Sequence, residues 1–454
     1  MERYLHTNTS LQIRKWLPAL LLMQIVFFSA YAQCPQRYRD RVFTDTKPSL
    51  DIGYGGNKLN VDGTYTFLAY DLFEPKDDTA QLRPLVVLIH GGGFTNQIPL
   101  NRKSPEIIEI AKDLAKRGYV TASPEYRLFG GETTYDKMLG TVPAAFLDIN
   151  SFMCYMANSV QHGNPYRIDT SKVFIGGSSA GALLALNFSV FVNDTADLTG
   201  EMKRAMNIVT ALDRVNPQTI LQNKFCGLRP KGLLLISGAM IDTSLIKPVN
   251  TPVFLVHGML DGALPFYEGN ALGDPALPKV FGPGIFRNQL ERAGIPVEAH
   301  IYPDKYHVPV LFPFGDNLLL ALQLTLQTGS IFDKPVMDST QRQMADFCYR
   351  LMGSPATDCS VTAVKQNVIT GQLNITPNPA AGLFNVQLPK ALLYKNVRII
   401  VYNITGQAVY DEAVHTAGNI AIDITGQTRG MYMLTLTVEQ ADGPYLYADK
   451  LMYH

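Results

Sequence analysis

The chain has 454 residues, more than one ordinary hydrophobic core accommodates, so we expect two or three folding units. A hydrophobic fraction of 46% and a charged fraction of 17% are typical of a globular protein. Lysine plus arginine and aspartate plus glutamate each total 39, so no basic surplus supports nucleic-acid binding and no strong field steers a charged substrate.

Residues 1–32 have the pattern of a secretory signal peptide. Arg14 and Lys15 precede the apolar run 16–28, and Ala30-Tyr31-Ala32 offers a cleavage site before Gln33. A membrane anchor is the alternative, but the run is shorter than the roughly 20 apolar residues that a span needs. No later segment is long and apolar enough to span, so we expect an exported chain without a transmembrane segment after cleavage.

Export makes disulfides available to the five cysteines. Their odd number leaves at least one thiol unpaired in a monomer. Cys348 and Cys359 are close enough in sequence to close a small loop, and the pairing of the others is left open. The cysteines are Cys34, Cys154, Cys226, Cys348 and Cys359.

Strands and helices alternate between residues 64 and 352. Short apolar runs predict strands, and apolar residues at helical spacing predict the helices between them. This alternation indicates a mostly parallel sheet covered on both faces, which is an α/β fold. The predicted strands are 64–72, 84–89, 119–122, 173–175, 232–236, 252–256 and 297–302, and the predicted helices are 106–117, 143–159, 182–188, 286–293 and 340–352.

Two glycine-rich turns follow predicted strands. Gly177-Ser178-Ser179-Ala180-Gly181 fits G-x-S-x-G between the strand at 173–175 and the helix at 182–188. That order predicts a nucleophile elbow, in which Ser179 has a strained backbone and an exposed hydroxyl, although a Gly/Ser turn without chemistry is the alternative. His90-Gly91-Gly92-Gly93 follows the strand at 84–89, and its N–H groups can turn toward an anion.

A serine nucleophile needs a base, an acid that holds the tautomer of the base, and donors for the oxyanion. Among the eight histidines, only His307 lies beyond Asp261 in a loop that follows a predicted strand. Asp261 also follows a strand end, where functional groups collect in open parallel sheets. Asp304, three residues before His307, is the alternative acid, and we favour Asp261 for its place at a strand end.

These motifs resemble the carboxylesterase/lipase branch of the α/β-hydrolase superfamily over roughly residues 51–352. The resemblance implies that Ser179 is the nucleophile, Asp261 the acid and His307 the base. It also implies that the N–H groups of Gly92, Gly93 and Ala180 form the oxyanion hole. The elbow departs from the commonest esterase form at Ser178 and Ala182. The motifs are 90–94, Tyr126-Arg127-Leu128, Asp148, Ile168-Asp169, 177–181, Asp261 and His307.

Residues 193–230 are long for a connection between a helix and a strand, and either a lid or a decorative insertion fits them. The expected catalytic domain is 33–353, followed by a linker at 354–371. Short alternating segments then predict a β-sandwich at 372–454.

The tail at 372–454 resembles the C-terminal sorting domain of type IX-secreted proteins of Bacteroidetes. Its landmarks are Pro377-Asn378-Pro379, Gly406-Gln407 and Gly430-Met431-Tyr432. A carbohydrate-binding or spacer sandwich is the alternative. The resemblance implies Sec export through the periplasm, recognition by the type IX machinery, and a secreted or outer-membrane-surface location.

We therefore expect a secreted serine carboxylic-ester hydrolase that forms an acyl-enzyme with short to medium uncharged esters, either small molecules or polysaccharide-linked. A serine peptidase and a catalytically silent binding protein of the same fold are the alternatives. The set Ser179, Asp261 and His307 disfavours the silent protein, and the glycine loop favours esters over peptides. We expect no cofactor and no metal, because no His/Cys/Asp cluster has metal-ligand spacing.

Overall fold

The computed structural model describes residues 36–190, 194–198, 200–313, 318–353, 367–370, 373–388, 396–404, 407–415, 418–438 and 445–454. The predicted signal peptide and its cleavage site, Cys34 and Cys359 lie outside these residues, as does most of the predicted linker. The chain divides into two compact units, Met1–Thr357 and Asp358–His454.

A mostly parallel sheet of eight strands organises the first unit, in the order β1-β2-β4-β3-β5-β6-β7-β10. Only β2 runs against its neighbours, since it pairs antiparallel with β1 and with β4. β8 and β9 form a separate antiparallel pair. The strands are β1 (Thr46–Leu59), β2 (Tyr65–Pro75), β3 (Arg83–Ile89), β4 (Val120–Pro124), β5 (Ile168–Ser178), β6 (Gly232–Ile236), β7 (Val253–Gly258), β8 (Glu268–Asn270), β9 (Lys279–Phe281) and β10 (Val297–Tyr302).

Helices cover both faces of this sheet. Leu85, Val87 and Ile89 of β3 pack into one core with α2, α3 and α6, while Val86 and Leu88 pack into a second core with α1 and α8. Successive residues of a strand point to opposite faces, so one buried run serves both cores. The helices are α1 (Pro105–Lys116), α2 (Tyr135–Gln161), α3 (Ala180–Val190), α4 (Gly200–Asp213), α5 (Pro217–Gln222), α6 (Pro283–Arg292), α7 (Leu318–Thr328) and α8 (Lys334–Leu351).

The predicted α/β class is confirmed, with differences at individual elements. α2 begins at Tyr135, not at Pro143, because Thr134 caps it by accepting a hydrogen bond from the Lys137 N–H. β1 was not predicted, since its residues are mostly half-buried or exposed and carry no clean alternation. None of the helices in the described ranges is both long and apolar enough to cross a membrane.

One disulfide joins Cys154 of α2 to Cys226. Cys348 is a buried free thiol inside α8, so the loop closure that spacing suggested for Cys348 and Cys359 is wrong. Helix packing decides this outcome: Cys348 points into the core that α8 shares with the sheet, alongside Met344 and Phe347.

The second unit has two sheets around one apolar core, as predicted for a small all-β domain. One sheet has the order β11-β18-β17-β14-β15 and the other β12-β13-β16. β11 lies within the stretch predicted as linker, and β15 was missed because most of its residues are exposed. The strands are β11 (Asn367–Thr370), β12 (Asn374–Thr376), β13 (Leu383–Gln387), β14 (Asn396–Tyr402), β15 (Ala408–His415), β16 (Asn419–Asp423), β17 (Gly430–Val438) and β18 (Tyr445–Tyr453).

Candidate active site

Ser179 occupies the sharp turn between β5 and α3. Its φ is +52°, in the left-handed region that L-residues rarely adopt. The flanking glycines have a steric cause: a Cβ at Gly177 or Gly181 would lie 2.0 or 2.1 Å from the carbonyl oxygen of Ile89. The end of β3 therefore packs so closely on the turn that only glycine fits, and the strained turn is held in place.

Three strand ends bring the predicted nucleophile, base and acid together. Ser179 follows β5, Asp261 follows β7 and His307 follows β10. The Ser179 hydroxyl lies 2.7 Å from His307 Nε2, and His307 Nδ1 lies 2.9 and 2.8 Å from the two carboxylate oxygens of Asp261. Because β5, β7 and β10 are parallel, their carboxyl ends meet at one edge of the sheet.

Asp261 is buried and already well supplied with donors. Its Oδ1 accepts the N–H groups of Ala263 and Leu264 at 3.0 and 2.7 Å. Burial acts to raise the pKa of Asp261, but His307, His257 and the Leu264 N–H outweigh it, so this pKa lies below its usual value. The carboxyl is therefore held as the anion that a base's Nδ1–H needs as its acceptor.

The alternative acid, Asp304, lies at the surface. Its side chain is 76% exposed and pairs with Lys305 Nζ at 3.8 Å. His257, in contrast, is buried against Asp261, with Nε2 3.3 Å from Asp261 Oδ2 and 3.0 Å from the Leu264 carbonyl. Burial lowers the pKa of His257 to about 4 even beside this carboxylate, which leaves its imidazole neutral near pH 7.

The glycine loop after β3 lies beside Ser179. Gly92 and Gly93 have φ of +111° and +59°, and a Cβ on Gly91 would lie 3.1 Å from Ser179 Cβ. In the described part of the chain, no hydrogen bond engages the N–H of Gly92 or Gly93. The Ala180 N–H belongs to the first turn of α3, whose N–H groups have no partner within the helix. Gly92, Gly93 and Ala180, the three predicted oxyanion residues, thus line cavities that Ser179 also lines.

His90 anchors the glycine loop. Its Nε2 lies 2.8 Å from Glu125 Oε1 and its Nδ1 2.7 Å from the Gly91 carbonyl, while its ring stacks on Tyr126 with centroids 4.2 Å apart. The Tyr126 hydroxyl donates to the His90 carbonyl at 3.0 Å. These contacts fix the loop that carries Gly92 and Gly93. Apart from the Tyr126-Arg127-Leu128 motif, no pattern in the sequence indicates this anchoring.

Two cavities meet at Ser179. One, of about 500 Å³, is lined chiefly by apolar side chains that include Met138, Leu183 and Met202. The other, of about 800 Å³, is lined by His307, Glu106 and Ser178, with Leu311 and Phe312 farther along its wall. Ser179 therefore lines two cavities whose walls are mostly apolar, and His307 lines the larger of the two.

Part of the 193–230 segment forms a wall of the smaller cavity. Glu201, Met202 and Ala205 of α4 line it. Two attachments tie this segment to the rest of the unit: Asp213 pairs with Arg127 at 2.6 Å, and the Cys154–Cys226 disulfide joins its far end to α2. Arg127 also pairs with Asp148 at 2.9 Å, so one buried guanidinium links two carboxylates from different helices.

No group of three or more His, Cys, Asp or Glu residues suited to a metal ion occurs among the residues that the structure describes.

A parallel sheet with a serine on the turn after β5 and helices on both faces defines the α/β-hydrolase fold. Residues 70–274 match the family BD-FAE, a family of α/β-hydrolase-type esterases. Residues 374–443 match the secretion system C-terminal sorting domain. The chain therefore contains an α/β-hydrolase-type esterase domain and a type IX sorting domain, and the sorting domain marks it for secretion or the cell surface.

Solved structures of esterase 2 from the Planctomycetes species Thermogutta terrifontis are distantly similar. The native form is 18% identical, with a TM-score of 0.41, and the match covers 71% of this chain and 98% of that one. The propionate-bound form is 18% identical, with a TM-score of 0.40, and the match covers 67% of this chain and 96% of that one. The form phosphorylated by paraoxon is 19% identical, with a TM-score of 0.38, and the match covers 63% of this chain and 92% of that one. Similarity at this level does not transfer a substrate or mechanism. No curated protein matches the chain.

Proposed function

We propose that the first unit is a serine carboxylic-ester hydrolase in which Ser179 is the nucleophile, His307 the general base and Asp261 the acid. The hydrogen-bonded series from Asp261 through His307 to the Ser179 hydroxyl is the observation that carries this proposal. A serine hydroxyl becomes a competent nucleophile when a base accepts its proton as it attacks, and the Asp261 carboxylate selects the tautomer with a free Nε2.

The reaction has two halves. Ser179 Oγ attacks the ester carbonyl while His307 Nε2 takes its proton, and the carbonyl oxygen becomes an oxyanion among the N–H groups of Gly92, Gly93 and Ala180. His307 then gives the proton to the leaving alcohol as the C–O bond breaks, which leaves an acyl-enzyme. Water then attacks the acyl carbonyl while His307 takes its proton, and His307 passes this proton to Ser179 Oγ as the bond between Oγ and the acyl carbon breaks, which releases the carboxylic acid and restores the serine.

The two cavities divide the ester between them. The leaving oxygen must lie against His307 Nε2 to receive its proton, so the alcohol part occupies the cavity that His307 lines. The acyl part then extends into the apolar cavity of about 500 Å³ beside Ala180 and Leu183. This volume and its apolar wall favour short to medium uncharged acyl groups, and the larger alcohol side accommodates a small alcohol or a sugar of a polysaccharide.

A panel of chromogenic substrates tests this proposal against the peptidase and the silent protein. We expect p-nitrophenyl esters from acetyl to octanoyl to be hydrolysed with a preference for shorter chains, and aminoacyl p-nitroanilides to remain intact. Acetylated xylan and feruloyl esters extend the panel to polysaccharide-linked substrates. Cleavage of the anilides alone would establish a peptidase, and no turnover by the folded protein would establish a silent fold.

A further inference from the structure

Glu106 is a buried carboxyl that the ester mechanism does not use. It lies in the first turn of α1, is 1% exposed, and lines the same cavity as Ser179 and His307. Its Oε1 accepts a hydrogen bond from the hydroxyl of Ser178, the residue before the nucleophile, at 2.6 Å. The carboxyl therefore lies directly behind the elbow, on the side that receives the alcohol part of the ester.

The second oxygen of this carboxyl has no partner. Oε2 of Glu106 is buried and makes no hydrogen bond within the described residues. An unpaired buried polar atom is unfavourable, so a partner that can reach it, either a water molecule or a ligand group, is favoured. A ligand group that hydrogen-bonds to Oε2 would thus interact with an atom that is already desolvated.

The surroundings of this carboxyl shift its pKa upward. Burial raises the pKa of Glu106 above its usual value, against the Ser178 hydrogen bond and the charge that His90 and His307 can carry. Burial, together with the charges of Glu125 and Glu106, raises the pKa of the Tyr126 hydroxyl. A carboxyl oxygen accepts a hydrogen bond from a hydroxyl group in either protonation state, and the protonated form also donates one, so this site matches a hydroxyl group.

We propose that Glu106 is a specificity-determining residue that binds a second hydroxyl on the alcohol part of the substrate. The preferred substrates are then esters of polyols, such as partially acylated glycerol or sugars, over esters of simple alkanols. This inference rests on the proposed ester hydrolysis and on the assignment of the His307 cavity to the alcohol. In this proposal, Glu106 supplies a polar contact that distinguishes substrates within a cavity whose walls are otherwise mostly apolar.

The test compares two esters with the same carbon skeleton, 2,3-dihydroxypropyl acetate and propyl acetate, by kcat/KM. We expect the wild type to prefer the dihydroxy ester by about tenfold or more. Glu106→Leu should remove this preference while it still hydrolyses propyl acetate, and Glu106→Gln, whose amide also donates and accepts, should retain much of it. Glu109→Gln, an exposed carboxyl three residues along α1, is the matched control and should leave the ratio unchanged.

Each possible result either supports or contradicts the inference. A wild-type ratio near one overturns the inference, and so does a high ratio that survives in Glu106→Leu. Equal losses for both esters in Glu106→Leu would show that the carboxyl only supports Ser178, which also contradicts it. Should Glu106→Leu not fold, Glu106→Ala replaces it. Hydrolysis of neither ester by the wild type would instead refute the proposed function, which this inference requires.

Discussion

The hydrolase unit buries charged side chains throughout its core, whereas the described core of the sorting domain is made of aliphatic and aromatic residues. Arg83, Arg127, Asp148 and Asp261 are all at most 5% exposed in the first unit. In the second, β13, β14 and β16 alternate buried apolar residues with exposed or half-buried ones, as in Val397, Ile399 and Val401 of β14. Among the described residues of the tail, charged side chains lie at the surface.

This difference shows that the two units are stabilised in different ways. A buried charge is costly unless it is paired, so a core that contains several must gain something from their positions. In the hydrolase unit the buried charged groups hold parts of the candidate site in place. Glu125 and His90 hold the glycine loop, and Arg127 holds α4, which forms part of the wall of the smaller cavity. In the described part of the tail, cross-strand packing around one apolar core stabilises the sheets instead.

The largest expected effect concerns the acid. Asp261→Asn should lower kcat on a short ester by about 10⁴-fold, because the amide no longer holds the tautomer of His307 that accepts the serine proton. Asp304→Asn is the matched control on an exposed carboxyl and should change kcat little. Steady-state kinetics of both variants measures this. The reverse ranking would assign the acid to Asp304.

The next effect concerns the paired charges. Asp148 and Asp213 share the Arg127 guanidinium, and burial, together with the charge of Asp213, raises the pKa of Asp148 to about 6 despite that cation. Arg127→Met should destabilise the hydrolase unit by about 3–5 kcal/mol, because it leaves two buried carboxylates without their cation. Calorimetry resolves the transition of each unit. Arg398→Met removes the exposed pair with Asp411 in the tail and should leave the tail transition in place, so similar shifts would break the comparison.

A buried histidine should give the hydrolase unit a pH dependence that the tail lacks. The folded pKa of His257 is about 4, below its ordinary 6.5, so the stability it contributes is complete above pH 6.5 and lost as pH falls toward 4. The difference corresponds to roughly 3 kcal/mol. Asp148 acts in the opposite sense between about pH 4 and 6, because its folded pKa is raised.

Variants therefore have to be compared with the wild type at each pH. The stability difference between His257→Gln and the wild type should change by up to that amount across pH 4 to 6.5. His415→Gln replaces an exposed histidine on β15 and should show no such change in the tail transition. A flat difference for His257→Gln would show that this imidazole is not held neutral by burial.

The smallest effect concerns the sorting domain. The residues proposed for catalysis all precede Gly353, so a chain ending near Pro355 should keep kcat within about twofold of the full chain in solution. In the native host the same truncation should remain in the periplasm, while 372–454 fused to an inert exported reporter should reach the surface. Normal export of the truncated enzyme would contradict the sorting role, and loss of activity would show that the tail supports the site.

The sequence predicted those parts of the fold and site that depend on local patterns. The elbow is visible because strand, turn and helix are contiguous, and the structure brings Asp261 and His307 to Ser179 because parallel strand ends share an edge. The Cys154–Cys226 disulfide and the Ser178–Glu106 contact each join residues 72 positions apart, and only helix packing brings them together. The place of His257 behind the acid, likewise, follows from how β7 and its loop are buried.

The most direct test of the account is covalent labelling of the serine. A fluorophosphonate should inactivate the enzyme with a stoichiometry of one, and peptide mapping should place the adduct on Ser179. Ser179→Ala, checked for an unchanged circular dichroism spectrum, should take up no label and lose at least about 10⁴-fold in kcat. An adduct on another residue, or an alanine variant that keeps its esterase activity, would contradict the assignment of Ser179 as the nucleophile.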